Sequence, residues 1–401
     1  MSLSHLSEPS FFPMVNTIQN YAWGSISSIR ELFGFKNESQ QPQAEVWMGA
    51  HPKGCSMVMF DQNPLSLSDL INKDRSAYLS ADIAKEFGEL PFLLKILAAD
   101  KALSIQVHPS KKQAEEGYSK EEQAGIPLTA GNRNYKDSNH KPELVYAITE
   151  YQAMNGFREY EEIMALFKQL RSFEITSLVE DFSSNLTPQG LEAFFCALLT
   201  LNDQKKSNAL GELLAYARAH QDQAEFSLIV ELNEQYPNDV GLFSVLLLNL
   251  ITLKPGEAMY LKANTPHAYL KGTGLEVMAN SDNVLRAGLT SKHIDVPELV
   301  KCTRFEPISF NNLILAPSKV GRCDSYEIPV SDFNFNIIQC PENEAITTGS
   351  AEILMAIDND LTLTNEQGVS LTLTKGESVF IPAYIGHYVV SSKGRIARAF
   401  S

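Results

Sequence analysis

The spacing of apolar positions along the chain changes twice. Up to about residue 150 they fall in short runs broken by Gly, Pro and Asn, as in Cys55–Phe60 and Ser104–His108. That texture predicts strands and turns, with one helical piece at Ala81–Phe87. From about Glu159 to Leu253 the spacing becomes helical. Within Glu161–Phe173 the residues Ile163, Leu166, Phe167 and Leu170 share one face, and Leu191–Leu199 and Leu210–Arg218 behave alike. Thr187 before Pro188 is a helix-start signal. The most apolar stretch, Gly241–Leu253, is too short to span a bilayer and is interrupted by Ser244, Asn249 and Thr252. It predicts a buried helix. After Pro255 strand texture returns and runs to the end, with a short helix expected near Val296–Lys301.

An internal echo organises the strand-rich parts. Pro255-Gly256-Glu257 leads into Ala258–Leu261, and His267 lies 11 positions after Gly256. Lys375-Gly376-Glu377 leads into Ser378–Ile381, and His387 lies 11 positions after Gly376. Short strands repeated with such turns suggest jelly-roll barrels, and the Gly-to-His spacing resembles the second motif of cupins. The expected fold is mainly β with an α insertion: two cupin-type jelly-roll β-barrels plus a helical domain. The first barrel is expected over 1–155 and 254–320, the helical insertion over 156–253, and the C-terminal cupin-like barrel over 321–401.

Three segments carry candidate chemistry. In Leu103–Pro109 the alternation is strict: Ser104, Gln106 and His108 share one strand face, while Leu103, Ile105 and Val107 share the other. Polar groups along an apolar strand need a partner, because burying them unsatisfied is costly. Glu143 opens an apolar strand after Pro142, and His267 follows Thr265-Pro266. Two imidazoles, a carboxylate and an amide oxygen suit a borderline divalent ion such as zinc. Any one of these segments alone is a weak signal; three together are the argument.

Composition narrows the partners. The 401 residues are enough for two or three domains, and 44% hydrophobic with 20% charged residues is ordinary for a soluble globular protein. Five cysteines at 55, 196, 302, 323 and 340 form no C-x-x-C pair, and their odd number argues against a disulfide framework. With no signal-peptide texture at the start, a cytoplasmic location is expected. A net charge of −15 argues against nucleic acid, whose backbone needs cationic patches. It allows a small anionic substrate only where local cations build the site. No membrane association is expected, and the chain is expected to be a monomer.

The stretch Tyr135-Lys136-Asp137-Ser138-Asn139-His140-Lys141-Pro142-Glu143 resembles the Y-x-D-x-N-H-K-P-E signature of type I mannose-6-phosphate isomerases (phosphomannose isomerases). A second long block is similar too: His267-Ala-Tyr269, Gly272-x-x-x-Glu276, and Met278-Ala-Asn-Ser-Asp282-Asn283-x-x-Arg286-Ala-Gly288-x-Thr290-x-Lys292. Tyr21-Ala-Trp23-Gly24-Ser25 and Ala44-Glu45-Val-Trp47-Met48-Gly49-Ala-His51-Pro52 also fit. The resemblance spans roughly residues 15 to 300. It implies a catalytic jelly roll, a helical insertion and a second jelly roll. It also implies one zinc per chain, held by Gln106, His108, Glu143 and His267. Catalytic zinc usually keeps three protein ligands plus water, so four ligands would require a fifth position for an open site.

The implied reaction interconverts mannose 6-phosphate and fructose 6-phosphate through a cis-enediol. Arg286 is the first candidate for a cation near the enediol, since guanidinium stays charged at any working pH; a salt bridge to Asp282 is its structural alternative. Glu276, Asp282 and Lys141 are candidates for the base. Ser104, Lys95 and Lys292 are candidates for phosphate, and Lys95 within an apolar strand needs an anionic partner. Trp23 and Tyr269 could wall the sugar site or serve as core aromatics. His5, His220 and His293 lack a ligand-like context, and His51 belongs to a turn by resemblance only. His140, read on a strand facing away from Lys141, is expected to be structural. His387 has no Q-x-H or H-x-H before it, so no metal is expected there. A metal-dependent cupin oxygenase and a non-catalytic sugar-binding cupin are the competing functions. Gln106 and the candidate lysines fit the first poorly, and the Asp282–Arg286 block argues against the second.

Overall fold

The structure is a computed structural model and describes residues 11–401, so His5 lies outside the described residues. Two compact units result. One takes residues 11–98 with Thr273–Asn280 and Leu315–Ser401; the other takes Ala99–Gly272 and Ser281–Ile314. Among the described residues no helix is long and apolar enough to cross a membrane.

In the unit built on Ala99–Gly272, short antiparallel strands stand before and after a run of helices, and a further helix, Lys111–Gln123, lies between the first two strands. Glu143–Ala147 pairs with Ala258–Leu261. Tyr151–Phe157 pairs with Leu248–Leu253 on one side and with the start of His267–Ala279 on the other. Ile105–Val107 pairs with Leu285–Gly288 and, at Gln106, with His267. The helices Tyr160–Leu170, Pro188–Leu199 and Asp203–Ala219 contain the three stretches of predicted helical periodicity, and Thr176–Ser184 and Ala224–Gln235 are two more helices of the same region. Their apolar faces meet in one core, where Phe194 packs edge-on to Phe167 and stacked on Phe182. Thr187 caps its helix as expected, accepting from the Gly190 amide.

Two expectations need correction here. Gly241–Leu253 is not one helix: a turn of 3-10 helix (Val240–Phe243) and a short helix (Ser244–Leu247) lead into the strand Leu248–Leu253. The switch follows from two β-branched residues and from long-range bonds of Asn249. Ile251 and Thr252 are β-branched, and the buried Asn249 amide reaches the carbonyls of Phe157 at 3.1 Å and Ile308 at 2.9 Å. These contacts hold the segment extended beside Tyr151–Phe157. The helix expected over Glu161–Phe173 stops at Leu170 because Arg171 turns left-handed at φ 46, which leaves Phe173 84% exposed.

The other unit carries Thr17–Gln19, Glu45–Gly49 and Phe92–Ala99 as neighbouring antiparallel strands. It also carries two antiparallel sheets built from the C-terminal part, with the N-terminal strand Phe12–Pro13 at the edge of the larger one. One has seven strands, among them Glu352–Ala356, Ser378–Ile381 and Arg395–Phe400; the other has four, among them Leu361–Asn365 and His387–Ser392. Their core holds Leu354, Val379, Leu361, Val390 and Ile396.

The echo seen in the sequence is a repeated set of hydrogen bonds. Gly256 and Gly376 both have positive φ, 93 and 86, a conformation glycine adopts without strain. The Gly256 amide donates to Ala147 and the Gly376 amide to Ala356. Each following glutamate, Glu257 and Glu377, accepts from the backbone amide three residues before it.

Asn249→Ala should therefore lower stability by about 2–3 kcal/mol, because it leaves buried carbonyls unpaired. Urea unfolding with an unchanged midpoint would show that the asparagine does not hold this strand.

Candidate metal centre

Gln106 sits in the middle of a row across neighbouring strands. His267 lies opposite it on one side and Arg286 on the other, and His267 in turn faces Asn155. Residues directly opposite in a sheet project to the same face. Ile105 and Val107 are buried on the reverse face, as the alternation predicted. His108 follows two positions after Gln106, and Glu143 opens its strand directly after Pro142.

His108, Glu143 and His267 converge. Each offers a ligand atom, all within 4.8 Å of one another, and all three side chains are buried. His108 Nε2 is 3.5 Å from one Glu143 oxygen and His267 Nε2 is 3.4 Å from the other. The opposite ring nitrogens are committed: His108 Nδ1 lies 2.7 Å from the Asn283 carbonyl, and His267 Nδ1 lies 2.9 Å from that of Thr265. A carbonyl only accepts, so each Nδ1 carries the proton and each Nε2 presents its lone pair. Both Nε2 atoms are buried without a hydrogen-bond partner. Leaving such atoms unpaired costs about 1–3 kcal/mol each, and a cation between the rings and the carboxylate satisfies all three groups at once. The donor set fits zinc.

Electrostatics point the same way. Burial, outweighing the pull of Glu143, lowers His108 to about 4 and keeps it neutral, the state a metal needs. Burial alone would raise the Glu143 carboxyl, but the Lys141 ammonium beside it holds it well below its usual range. Lys141 Nζ is 3.0 Å from Glu143, and the Tyr269 hydroxyl donates to it at 3.0 Å.

The frame behind the ligands explains the two long motifs. Asn283 is fully buried; its side chain accepts from the Lys136 amide and donates to the Asp137 and Asn139 carbonyls, while its own carbonyl holds His108. Asp137 takes the Ser281 hydroxyl and the Asp282 amide. One motif thus clamps the other. Asn283, Asp137 and Ser281 received no role from the sequence, although the Asx-rich runs Asp137–Asn139 and Asn280–Asn283 signal such clamping.

The chain matches the description of the phosphomannose isomerase type I catalytic domain over residues 11–160 and that of its helical insertion domain over 166–248. It matches the mannose-6-phosphate isomerase cupin domain over 323–401. It is 47% identical to the mannose-6-phosphate isomerase of Escherichia coli (strain K12) over 390 residues, which covers 97% of this chain and 99% of that one. The chain belongs to the type I phosphomannose isomerase family. Its human relative of the same name is 34% identical over 411 residues, covering 94% of this chain and 95% of the relative. The crystal structure of a mannose 6-phosphate isomerase in its holo, zinc-bound form superposes with a TM-score of 0.93 at 46% identity, covering 98% of this chain and 100% of the other. A mutant of phosphomannose isomerase from Salmonella typhimurium gives 0.95 at 45% identity with the same coverage.

The remaining candidates fall into separate settings. Arg286 is half-buried, and burial lowers its pKa. Among the described residues it has no ion pair, with Asp282 or any other carboxylate. Ser104 is half-buried and Lys292 exposed. In the other unit of this family member, Lys95 has its anionic partners: Glu276 at 2.6 Å and Glu45 at 3.7 Å, with the Trp47 ring beneath its ammonium. Glu276 is thus engaged with Lys95. Trp23 stacks on Tyr21, and the buried His51 meets Trp47 edge-on. His140 is not on a strand, as expected from the sequence, but in the irregular stretch before Glu143, because Pro142 delays the strand. His220 stacks on Tyr216, and His293 is exposed.

The His108 shift sets a pH dependence for metal-free protein. The unfolded chain takes up this proton near 6.5 and the folded one only near 4. Stability is therefore full above pH 6.5 and falls as pH drops towards 4, by about 3 kcal/mol in all. Glu143, depressed when folded, adds loss of the same sign at the acid end. Urea midpoints of chelated wild type and His108→Asn, compared from pH 7 to 4, should diverge; parallel curves would refute the assignment.

Proposed function

We propose that this chain is a zinc-dependent aldose–ketose isomerase that interconverts mannose 6-phosphate and fructose 6-phosphate. The observation that carries the reading is the buried His108–Glu143–His267 group, whose two Nε2 atoms face a carboxylate with no hydrogen-bond partner. It lies in a chain of the phosphomannose isomerase family. His108, Glu143 and His267 would hold the zinc, with Gln106, opposite His267, as a fourth ligand. Bound there, zinc supplies Lewis-acid stabilisation of oxygen charge.

The reaction breaks the C2–H bond of the aldose and forms a C1–H bond, while O1 gains a proton and O2 loses one. No net oxidation occurs, and a cis-enediol lies between. The C2 proton is weakly acidic, so the barrier falls where developing oxygen charge meets a fixed cation. Arg286 fits that role: its guanidinium is partly desolvated, unpaired and on the same face as Gln106 and His267. Of the base candidates, Lys141 touches the centre through Glu143, and Asp282 sits in the loop clamped by Asp137. Tyr269, bonded to Glu143, forms part of the wall, and Ser104 and Lys292 are proposed for the phosphate. The proposed division is a catalytic cupin barrel over 1–155 and 254–320, a helical insertion over 156–253 and a second barrel over 321–401. All five cysteines are free, which fits the proposed cytoplasmic setting.

Purified protein should convert mannose 6-phosphate to fructose 6-phosphate, lose that activity on chelation and regain it with zinc. No turnover by zinc-replete protein would sink the isomerase reading, and oxygen consumption would favour an oxygenase instead. Arg286→Ala should lower kcat by roughly 10²–10³-fold with zinc content unchanged. A change confined to KM would move Arg286 from charge stabilisation to simple binding.

A further inference from the structure

The C-terminal segment repeats the setting of Glu143 with a different cation. Ala258–Leu261 runs beside Glu143–Ala147 so that Leu261 faces Glu143 and Met259 faces Val145. Ser378–Ile381 runs beside Glu352–Ala356 so that Ile381 faces Glu352 and Val379 faces Leu354. Both pairings start from the same glycine turn, Gly256 on Ala147 and Gly376 on Ala356. Counted from that turn, Glu352 stands where Glu143 stands. It is completely buried, at 0% exposure.

Among the described residues no imidazole meets Glu352. His267 follows Gly256 by 11 positions, and His387 follows Gly376 by the same 11. Yet His387 is exposed, with Nδ1 3.1 Å from the Thr347 hydroxyl, while its neighbour Tyr388 is buried in the core. The returning strand is therefore displaced by one residue, and such a displacement exchanges the inner and outer faces. The Tyr388 hydroxyl donates to Glu352, as that of Tyr269 does to Glu143. The cation comes from the next strand. Arg398 lies opposite Leu354, whose side chain is in the core, and so projects inwards. Its Nε meets one Glu352 oxygen at 2.8 Å and its Nη2 meets the other. Its guanidinium also lies 4.2 Å over the Phe400 ring.

We infer that Arg398 is a built-in cation for the C-terminal segment. It neutralises Glu352 at the position where a metal neutralises Glu143, and it makes folding of this segment independent of metal ions. A fully buried carboxylate needs a charged, hydrogen-bonded partner. Guanidinium supplies both in a fixed two-pronged geometry and cannot be chelated away. The parallel with the metal rests on Glu143 being a ligand, as proposed above; the Glu352–Arg398 pair does not.

Hydrogen exchange resolved by strand, on the full chain, tests this. Chelation of wild type should leave protection of Glu352–Ala356 and Arg395–Phe400 unchanged. Arg398→Met should lower it roughly 100-fold or more, because it strands a buried charge. The double variant Glu352→Gln/Arg398→Met should recover at least about tenfold of that loss, since it removes the charge as well. Three outcomes would overturn the inference: protection of these strands lost on chelation, no loss in Arg398→Met, or a double variant as damaged as the single one. If Arg398→Met does not fold, the double variant compared with wild type decides: a folded double variant supports the inference and an unfolded one overturns it. Turnover and zinc content, measured on wild type, judge the isomerase reading separately, and their failure leaves this result standing.

Discussion

A carboxylate buried to 2% exposure is the constraint around which the centre is built. Glu143 is tolerated because the Lys141 ammonium and the Tyr269 hydroxyl are fixed against it, while two imidazoles stand 3.4–3.5 Å away with their lone pairs open to a cation. Fixing them propagates the constraint outwards. His108 is oriented by the Asn283 carbonyl, Asn283 by the Asp137–Asn139 loop, and Asp137 by Ser281 and Asp282. Partners one shell out from a metal ligand set its tautomer and direction. Here that shell consists of the two longest motifs of the chain folded onto each other. The signature residues are long and specific because most of them hold one another, and few of them need to touch a ligand.

Local physics was legible in the sequence, and distant partnership was not. Strand alternation placed Gln106 and His108 on one face; the strand ends at Val107, its register sets Gln106 between His267 and Arg286, and His108, just beyond it, converges with His267. The Thr187 cap was legible in the adjacent Pro188, and the paired glycine turns in the Glu that follows each glycine and the His 11 positions on. The Gly241–Leu253 stretch was misread because its composition is compatible with a buried helix. What decides for a strand is the bond from Asn249 to Ile308, 59 positions away. The Arg286 alternative, an ion pair with Asp282, does not form, and the Asp282 amide is bound by Asp137. The Lys95 reading succeeded in its general form, that a buried lysine requires an anion. It could not say that Glu276, 181 positions on, supplies it.

The family relationship adds what neither source gives alone. Zinc-bound relatives of similar fold explain why two buried imidazole nitrogens can stand without hydrogen bonds. The geometry in turn says which residues of this chain have the tautomers and charge states to serve. His220 and His387 show the contrast. Each has an aromatic or hydroxyl partner at hand and lacks a buried carboxylate facing its free nitrogen.

Two solutions to one electrostatic problem thus occur in a single chain. At Glu352 the neutralising charge is covalently part of the protein, and both carboxylate oxygens are saturated by a planar fork. Nothing is left over to bind a substrate oxygen, so that site can only stabilise. At Glu143 the surrounding groups stop short of saturation and leave two nitrogen lone pairs directed at the same space. That arrangement costs stability in the absence of an ion, and it is what gives an ion somewhere to bind. The incompleteness of the first site is therefore the structural condition for chemistry, and the completeness of the second is the reason none is expected there.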